Sequence, residues 1–252
     1  MKFIDTHCHI HDSEYKLDVS DVISNASEFG VTKMICVGTD EQTSAQAVEF
    51  VKNKENIWAS VGLHPHDASL GDEATEEIQR LSKLPKVVAI GECGLDYFYN
   101  HSTKEDQATA LHRQIEIALE ANLPMIFHIR DAFEDFWPIF DSYKGIKGVV
   151  HSFTATTKEL EQALRRGLYI GLNGIMTFTK DQSQLQAAKT VPLDSLLLET
   201  DAPFLTPVPF RGKINEPKNV VLTAEFLSEL RKEDLGELAD ATTKNAEKLF
   251  GI

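Results

Sequence analysis

The chain has 252 residues, of which 42% are hydrophobic and 25% are charged, as is usual for a globular protein with a sizeable core. Its 39 acidic and 25 basic residues give a formal charge of −14, which argues against a broad basic surface that coats nucleic acid. Bound divalent cations would reverse the potential locally, so the charge does not exclude a small phosphate-binding site. No apolar run approaches the ~18 residues that a membrane span requires.

The N-terminus and the cysteines bear on the cellular compartment. The first residues, Met1 to Asp5, read as a folded strand and lack the basic and apolar segments of a signal peptide. The three cysteines, Cys8, Cys36 and Cys93, are an odd number without CxxC spacing, which is typical of reduced thiols packed as small hydrophobic side chains. We therefore expect a cytoplasmic protein with no membrane segment.

Short apolar runs alternate with segments of helical periodicity along the whole chain. The predicted strands cover residues 2–7, 34–37, 57–61, 87–91, 125–129, 148–153, 168–172 and 196–201. The predicted helices cover residues 19–29, a segment ending near 54, then 72–84, 104–122, 133–143, 156–166 and 181–189, and, after a proline-rich loop at 202–217, residues 218–231 and 234–249.

Regular alternation of strands and helices predicts a parallel sheet with right-handed crossovers. Eight such units without a linker predict an α/β fold, a (β/α)8 TIM barrel with an extra C-terminal helix, formed by a single domain over residues 1–252. A doubly wound open sheet is the alternative. In a TIM barrel the catalytic groups lie at the carboxyl ends of the strands.

Residue types that bind metals fall at the ends of five predicted strands. They are His7, His9, Glu92, His128, His151 and Asp201. His7 and His9 are two residues apart on an extended segment, so both imidazoles face one side and can chelate one ion. Histidine and carboxylate together suit zinc and other divalent transition metals. Six such residues predict a metal site, although each one taken alone is more often structural.

Two of these residues carry the predicted chemistry. Glu92 follows a buried strand, where a carboxylate needs compensation, and its two oxygens could bridge two ions about 3.5–4 Å apart. In the alternative, structural interpretation, Glu92 caps a helix or pairs with an arginine. Asp201 could instead cap the turn before Ala202 and Pro203.

Several motifs together resemble the TatD family of metal-dependent deoxyribonucleases, within the amidohydrolase-like hydrolases. The first is the D-x-H-x-H start at residues 5–9, which is widely shared. The narrower matches span the rest of the chain and are residues 62–66 (GLHPH), 91–97 (GECGLDY), the strand end at His128, 151–154 (HSFT), 198–203 (LETDAP) and 211–217 (RGKINEP).

The resemblance implies a TIM-barrel hydrolase with two divalent ions in each chain. His7, His9, Glu92 and Asp201 would hold one ion, and Glu92, His128 and His151 would hold the other. The resemblance implies magnesium for activity, and the histidine-rich set also suits zinc or manganese. It further implies a 3′→5′ exonuclease that acts on DNA or RNA ends and takes part in DNA repair, with Glu92 and Asp201 as its catalytic residues. We expect a monomer.

Further residues are candidates for contacts with substrate. His64 and Arg211 would bind a phosphate of the substrate, although His64 could equally be a turn residue fixed by Pro65. One aromatic residue of the segment 97–99 could stack a terminal base, and packing on the barrel rim is the alternative. Ile214 stands where the family pattern commonly has a basic residue, which removes one charge beside the predicted phosphate site.

Two other functions fit parts of the pattern. The same ligands could hydrolyse an ester or amide, as in a D-aminoacyl-tRNA deacylase, because both reactions need a metal-activated water. A non-enzymatic protein with structural metals would have closed coordination without a position for water. The complete ligand set at the strand ends favours an enzyme.

Overall fold

The computed structural model of the chain describes residues 1–99 and 101–252. The strands are β1 Phe3–Cys8, β2 Val31–Val37, β3 Ile57–Val61, β4 Val87–Asp96, β5 Met125–Arg130, β6 Gly148–Val150, β7 Tyr169–Leu172 and β8 Leu196–Leu198. The α-helices are α1 Val19–Glu28, α2 Glu41–Val51, α3 Gly71–Leu81, α4 Lys104–Ala121, α5 Phe133–Asp141, α6 Thr157–Arg165, α7 Gln182–Thr190, α8 Val220–Arg231 and α9 Leu235–Phe250. Short 3-10 helices cover Pro65–Leu70, Gly174–Thr177, Leu193–Ser195 and Pro217–Asn219.

The strands form one eight-stranded sheet whose order is the order of the sequence, β1 to β8. The pairs β3–β4, β4–β5, β5–β6 and β7–β8 are parallel, and a parallel bridge joins Cys8 to Ala202 beside the first and last strands. The fold is therefore the predicted (β/α)8 TIM barrel with an extra C-terminal helix, α9. No helix in the described part of the chain is long and apolar enough to cross a membrane.

Contacts divide the chain into two compact units, residues 36–151 and residues 1–35 with 152–252. In the first unit, β5 carries a large apolar side chain, Phe127, on which Phe136 and Phe140 of α5 pack at ring distances of 5.1 and 5.9 Å. These rings are buried, so burial of apolar area anchors α5 to the strand that leads directly into His128. The single domain over residues 1–252 stays a prediction.

The strand β4 is longer than its sequence indicates. The apolar run predicts an end at Gly91, but β4 continues to Asp96 with an irregular register against β5 between Ile90 and Cys93. Gly91 and Gly94 adopt φ values of +145° and +149°, a region that side chains with a Cβ rarely enter. The predicted end was wrong because the two glycines let the backbone bend and resume pairing.

In the second unit, the loop between β8 and α8 is fixed by a buried asparagine. Asn215 donates from its side-chain nitrogen to the carbonyl oxygens of Thr200 (2.9 Å) and Phe204 (2.6 Å), and it accepts a bond from Asn219 (2.8 Å). Its own carbonyl accepts a bond from the Tyr15 hydroxyl at 3.0 Å. These bonds hold the segment that follows Asp201 in a defined path without regular secondary structure.

The predicted strands β6 and β8 also extended too far along the chain. β6 ends at Val150 and β8 at Leu198, so His151 and Asp201 lie in the turns just after the strands. A capping box formed by Thr156 and Glu159 begins α6. The three cysteines are buried thiols, as expected of small hydrophobic side chains.

Candidate active site

Three predicted metal ligands converge in the unit formed by residues 1–35 and 152–252. Nε2 of His7 lies 3.2 Å from Nε2 of His9, and Oδ1 of Asp201 lies 3.6 and 3.3 Å from those two nitrogens. The side chain of His7 is fully buried, and that of Asp201 is 15% exposed. Two neutral imidazoles and a carboxylate at these separations suit a divalent transition metal.

Backbone bonds fix this group at the end of β1. The amide of Asp201 donates to the carbonyl of His7 at 2.8 Å, and the amide of His9 donates to the carbonyl of Ala202 at 2.7 Å. Below them, the buried carboxyl group of Asp5 accepts bonds from the amide (2.9 Å) and hydroxyl (2.6 Å) of Thr200. The first acid of the D-x-H-x-H motif thus joins β1 to the turn that carries Asp201.

The other predicted ligands lie in the unit formed by residues 36–151. Oε1 of Glu92 lies 2.9 Å from Nδ1 of His128, 3.8 Å from Nε2 of His151 and 3.5 Å from Nε2 of His64. Burial alone would raise the pKa of Glu92, but these histidines hold it well below its usual range. Glu92 is therefore a buried carboxylate that is charged and can accept a metal ion.

Asp96 and His66 join this group, and the sequence interpretation missed them. Oδ2 of Asp96 lies 2.9 Å from Nε2 of His128 and 3.1 Å from Nε2 of His66. Asp96 is fully buried, and although burial opposes its ionisation, the bonds from His128 and from backbone amides depress its pKa. The available signal was the spacing of Asp96 from Glu92, since an i, i+4 pair on an extended strand shares one face.

His64 has one ring nitrogen in use. Its Nδ1 accepts a hydrogen bond from the amide of His66 at 3.2 Å, so the neutral ring carries its proton on Nε2, which faces Glu92. Burial lowers the pKa of His64 to about 4, and the ring is neutral near pH 7. A ring nitrogen of His64 lies close enough to ligand atoms of Glu92 and His128 to share an ion. The proton on Nε2 favours a role as a hydrogen-bond donor.

Arg211 lies on the loop between β8 and α8 with an exposed side chain. Its guanidinium carbon is 3.6 Å from the centre of the Phe178 ring, and its Nη1 donates to the carbonyl of Thr206 at 3.3 Å. Two further residues of this region, Phe204 and Phe210, are also exposed, and the Phe204 ring lies 6.2 Å from His9. The remaining N–H groups of Arg211 are available to an anion.

Comparison with known proteins agrees with this geometry. The family model described as TatD related DNase matches residues 4–251. The chain is 39% identical over 251 residues to the uncharacterized metal-dependent hydrolase YabD of Bacillus subtilis, with 98% of each chain covered. It is 37% identical over 249 residues to the 3′-5′ ssDNA/RNA exonuclease TatD of Escherichia coli K12, with 95% of each chain covered.

Among solved structures, the YjjV protein of E. coli K12, a TatD homologue, superposes with a TM-score of 0.93 at 31% identity and covers 99% of this chain and 98% of its own. The family match over residues 4–251 includes every strand end that carries a candidate ligand. The chain therefore belongs to the TatD family and is a metal-dependent hydrolase that acts on ester bonds.

Proposed function

We propose that this chain is a 3′→5′ exonuclease that removes nucleotides from the ends of single-stranded DNA, and of RNA, with two divalent ions. His7, His9 and Asp201 would be ligands in one unit, and Glu92, His128 and His151 in the other. The observation that carries the proposal is the convergence of a carboxylate with imidazole nitrogens in each unit. The similarity to the 3′-5′ ssDNA/RNA exonucleases named TatD supports the choice of substrate.

Each ligand group fits a divalent ion by its donor chemistry. Ring nitrogens and carboxylate oxygens lie 2.9–3.8 Å apart in these groups, as atoms do that can share one ion. Bound ions supply Lewis acidity for the phosphate oxygens and lower the pKa of a water molecule. The cleavage assay with each metal restored in turn identifies the ion as magnesium, manganese or zinc.

The residues of the chain divide the remaining work. Asp201, the partly exposed carboxylate of its group, orients the attacking water and accepts its proton. His64 donates a hydrogen bond from its Nε2–H group to a phosphate oxygen, because the neutral ring near pH 7 carries its proton there. Arg211 offers the N–H groups that Thr206 does not use to the charge that develops on the phosphate.

The test is a cleavage assay on single-stranded DNA labelled at its 5′ end. Protein stripped of metal should be inactive, and restoring Mg²⁺, Mn²⁺ or Zn²⁺ should give a ladder of products shortened one nucleotide at a time from the 3′ end. Glu92→Ala should abolish the ladder, whereas Glu76→Ala, which removes an exposed carboxylate on α3, should not. If the protein binds metal and hydrolyses aminoacyl esters but cleaves no DNA strand, the nuclease assignment is wrong and the function is that of a deacylase.

A further inference from the structure

A patch of exposed aromatic and cationic side chains lies beside the Glu92 group. Phe98 and Tyr99, in the turn after β4, are 54% and 50% exposed, although both are large apolar side chains. The guanidinium carbon of Arg130, at the end of β5, lies 4.1 Å from the centre of the Phe98 ring and 4.7 Å from that of Tyr99. Arg130 is two residues beyond His128, so the patch adjoins the candidate metal ligands.

The backbone of the patch is fixed by the same residues that order the site. Oδ1 of Asp96 accepts bonds from the amides of Phe98 (2.9 Å) and Tyr99 (3.0 Å), while its Oδ2 faces His128. The amide of Tyr97 donates to the carbonyl of Arg130 at 2.9 Å. The aromatic turn is therefore held in one conformation, which reduces the entropy that a ligand would lose on binding it.

Arg130 differs from other arginines of this acidic chain. Arg80, Arg113, Arg165 and Arg231 each form an ion pair with a glutamate. In the described part of the chain no carboxylate pairs with the guanidinium of Arg130, which is exposed and contacts ring faces. Stacking leaves the edge of the guanidinium, with its N–H groups, free to bind an anion bidentately.

The two aromatic rings are not equivalent. Tyr99 stacks on His101 at 5.8 Å with an interplanar angle of 19°, and it also meets Arg130 and His66. Phe98 has the Arg130 guanidinium on one face, and its edge-to-face contact with Tyr99 at 4.8 Å leaves more than half of its surface exposed. Phe98 is thus the ring that can accept another planar group.

We propose that Arg130 and Phe98 form a substrate subsite for single-stranded nucleic acid, in which Arg130 binds a backbone phosphate and Phe98 stacks the adjoining base. This inference rests on the proposed nuclease function and adds the residues that grip the strand. A phosphate next to a planar base is the ligand whose chemistry matches a guanidinium next to an open ring. One such contact also reconciles nucleic-acid binding with a surface whose overall charge repels phosphates.

The subsite is tested by binding in an Asp201→Asn background, which limits cleavage. A short fluorescent deoxythymidine oligonucleotide is titrated at several salt concentrations, and Arg130→Met is compared with Arg165→Met, which removes the same charge from α6. Arg130→Met should weaken binding about tenfold and reduce the slope of log affinity against log salt by about 0.7, the value for one phosphate contact with a single strand. Arg165→Met should change neither.

The ring is tested with a second oligonucleotide that has abasic sites at its 3′ end. Phe98→Ala should weaken binding of the normal oligonucleotide about tenfold, and Phe98→Tyr should restore it. Binding of the abasic oligonucleotide should be the same with and without Phe98→Ala, because no base is present to stack. A merely structural role of Phe98 would weaken binding of both oligonucleotides equally and would overturn the assignment of this ring.

The outcomes separate this inference from the proposed function. If the unaltered chain cleaves DNA and Arg130→Met binds like Arg165→Met, the subsite is wrong and the nuclease stands. If no metal gives cleavage but binding depends on Arg130 and Phe98 as described, the subsite stands and the nuclease fails. If the oligonucleotide does not bind to the Asp201→Asn chain at all, or an acidic peptide of equal charge displaces it, the subsite is overturned.

Discussion

Oδ2 of Asp96 lies 2.9 Å from Nε2 of His128, and the opposite ring nitrogen, Nδ1, faces Glu92. Although burial opposes it, the hydrogen bonds to these two carboxylates raise the pKa of His128. With Asp96 accepting a hydrogen bond from Nε2–H, Nδ1 would be the nitrogen that binds an ion held by Glu92. Histidines that bind metals commonly donate their second N–H to a carboxylate in this way, which fixes the tautomer and the ring orientation. Asp96 is thus a positioning residue for His128, and it also orders the turn at Phe98.

Replacing Asp96 by asparagine should lower metal affinity without unfolding the chain. The substituted amide would keep the size of the side chain but lose the charge that stabilises the donor tautomer of His128, so we expect a loss of about 10–100-fold in affinity. Titration with Zn²⁺ or Mn²⁺ against a competing chelator measures this. The control is Asp72→Asn, an exposed acid on α3, and equal affinities in the two variants would contradict the positioning role.

Replacing His64 by asparagine tests whether this residue is a donor or a ligand. Asparagine can still accept the amide proton of His66 at the start of the 3-10 helix, because it is a favoured N-cap, but it removes the Nε2–H group that faces Glu92. We expect unchanged metal content and a fall in kcat/KM of about a hundredfold. His112→Asn, on the outside of α4, should change neither, and loss of one ion in His64→Asn would instead make His64 a ligand.

The convergence of the candidate ligands His7 and His9 could be predicted because strand periodicity and residue type suffice for it. His7 and His9 need only an extended segment to face one side, and the structure brings both to Asp201. The position of Asp201 was not predicted correctly, because β8 ends at Leu198 and Asp201 lies in the following turn with a φ of +60°. Its position depends on backbone bonds to β1, which join residues from distant parts of the sequence that no local pattern relates.

The contribution of Asp96 and Arg130 could not be predicted in the same way. The predicted strand ended at Gly91, and the continuation of β4 to Asp96 depends on backbone angles at Gly91 and Gly94. Once β4 continues, Asp96 pairs in register with Arg130, which explains why one carboxylate can reach both His128 and the aromatic turn. The sequence shows the residues but not this register.

Metal content should separate the two ligand groups. His9→Ala removes a nitrogen from the group with His7 and Asp201, and His128→Ala removes one from the group with Glu92, so each variant should lose one ion per chain relative to the unaltered protein. Elemental analysis after dialysis measures this directly. His112→Ala serves as the matched control. A single ion in the unaltered chain, or a full ion content in either variant, would contradict this assignment.

Gly94 should tolerate no side chain. A Cβ at Gly94 would lie 1.9 Å from the carbonyl oxygen of His128, and its φ is +149°. We therefore expect Gly94→Ala to cost about 3 kcal/mol or more of the free energy of unfolding and to weaken metal binding by displacing β5. Gly145→Ala is the matched control, because Gly145 also has a positive φ but nothing within 4 Å of its Cβ, and it should cost about 1 kcal/mol. Equal costs in a denaturant titration would rule out the clash.

The turn that carries Phe98 should depend on a buried glutamine of α4. Oε1 of Gln107 accepts the amide of Asp96 at 2.8 Å, and its Nε2 donates to the carbonyls of Asp96 (3.0 Å) and Ser102 (3.1 Å). Gln107→Leu leaves these buried groups without a partner, which we expect to cost about 3 kcal/mol of the free energy of unfolding. It should also speed hydrogen exchange at the amides of Phe98 and Tyr99.

Gln114, seven residues along α4, provides the control for this effect. Its side chain makes the same pair of hydrogen bonds with the backbone of Leu63. Its Oε1 accepts from the amide at 2.7 Å, and its Nε2 donates to the carbonyl at 2.9 Å. Gln114→Leu should therefore destabilise the chain to a similar extent. It should speed hydrogen exchange at the amide of Leu63, just before His64, and not at the amide of Phe98. Oligonucleotide binding should fall in Gln107→Leu more than in Gln114→Leu, because an ordered Phe98 turn lowers the entropy cost of binding. Equal exchange at Phe98 in both variants would mean that Asp96 alone orders the turn.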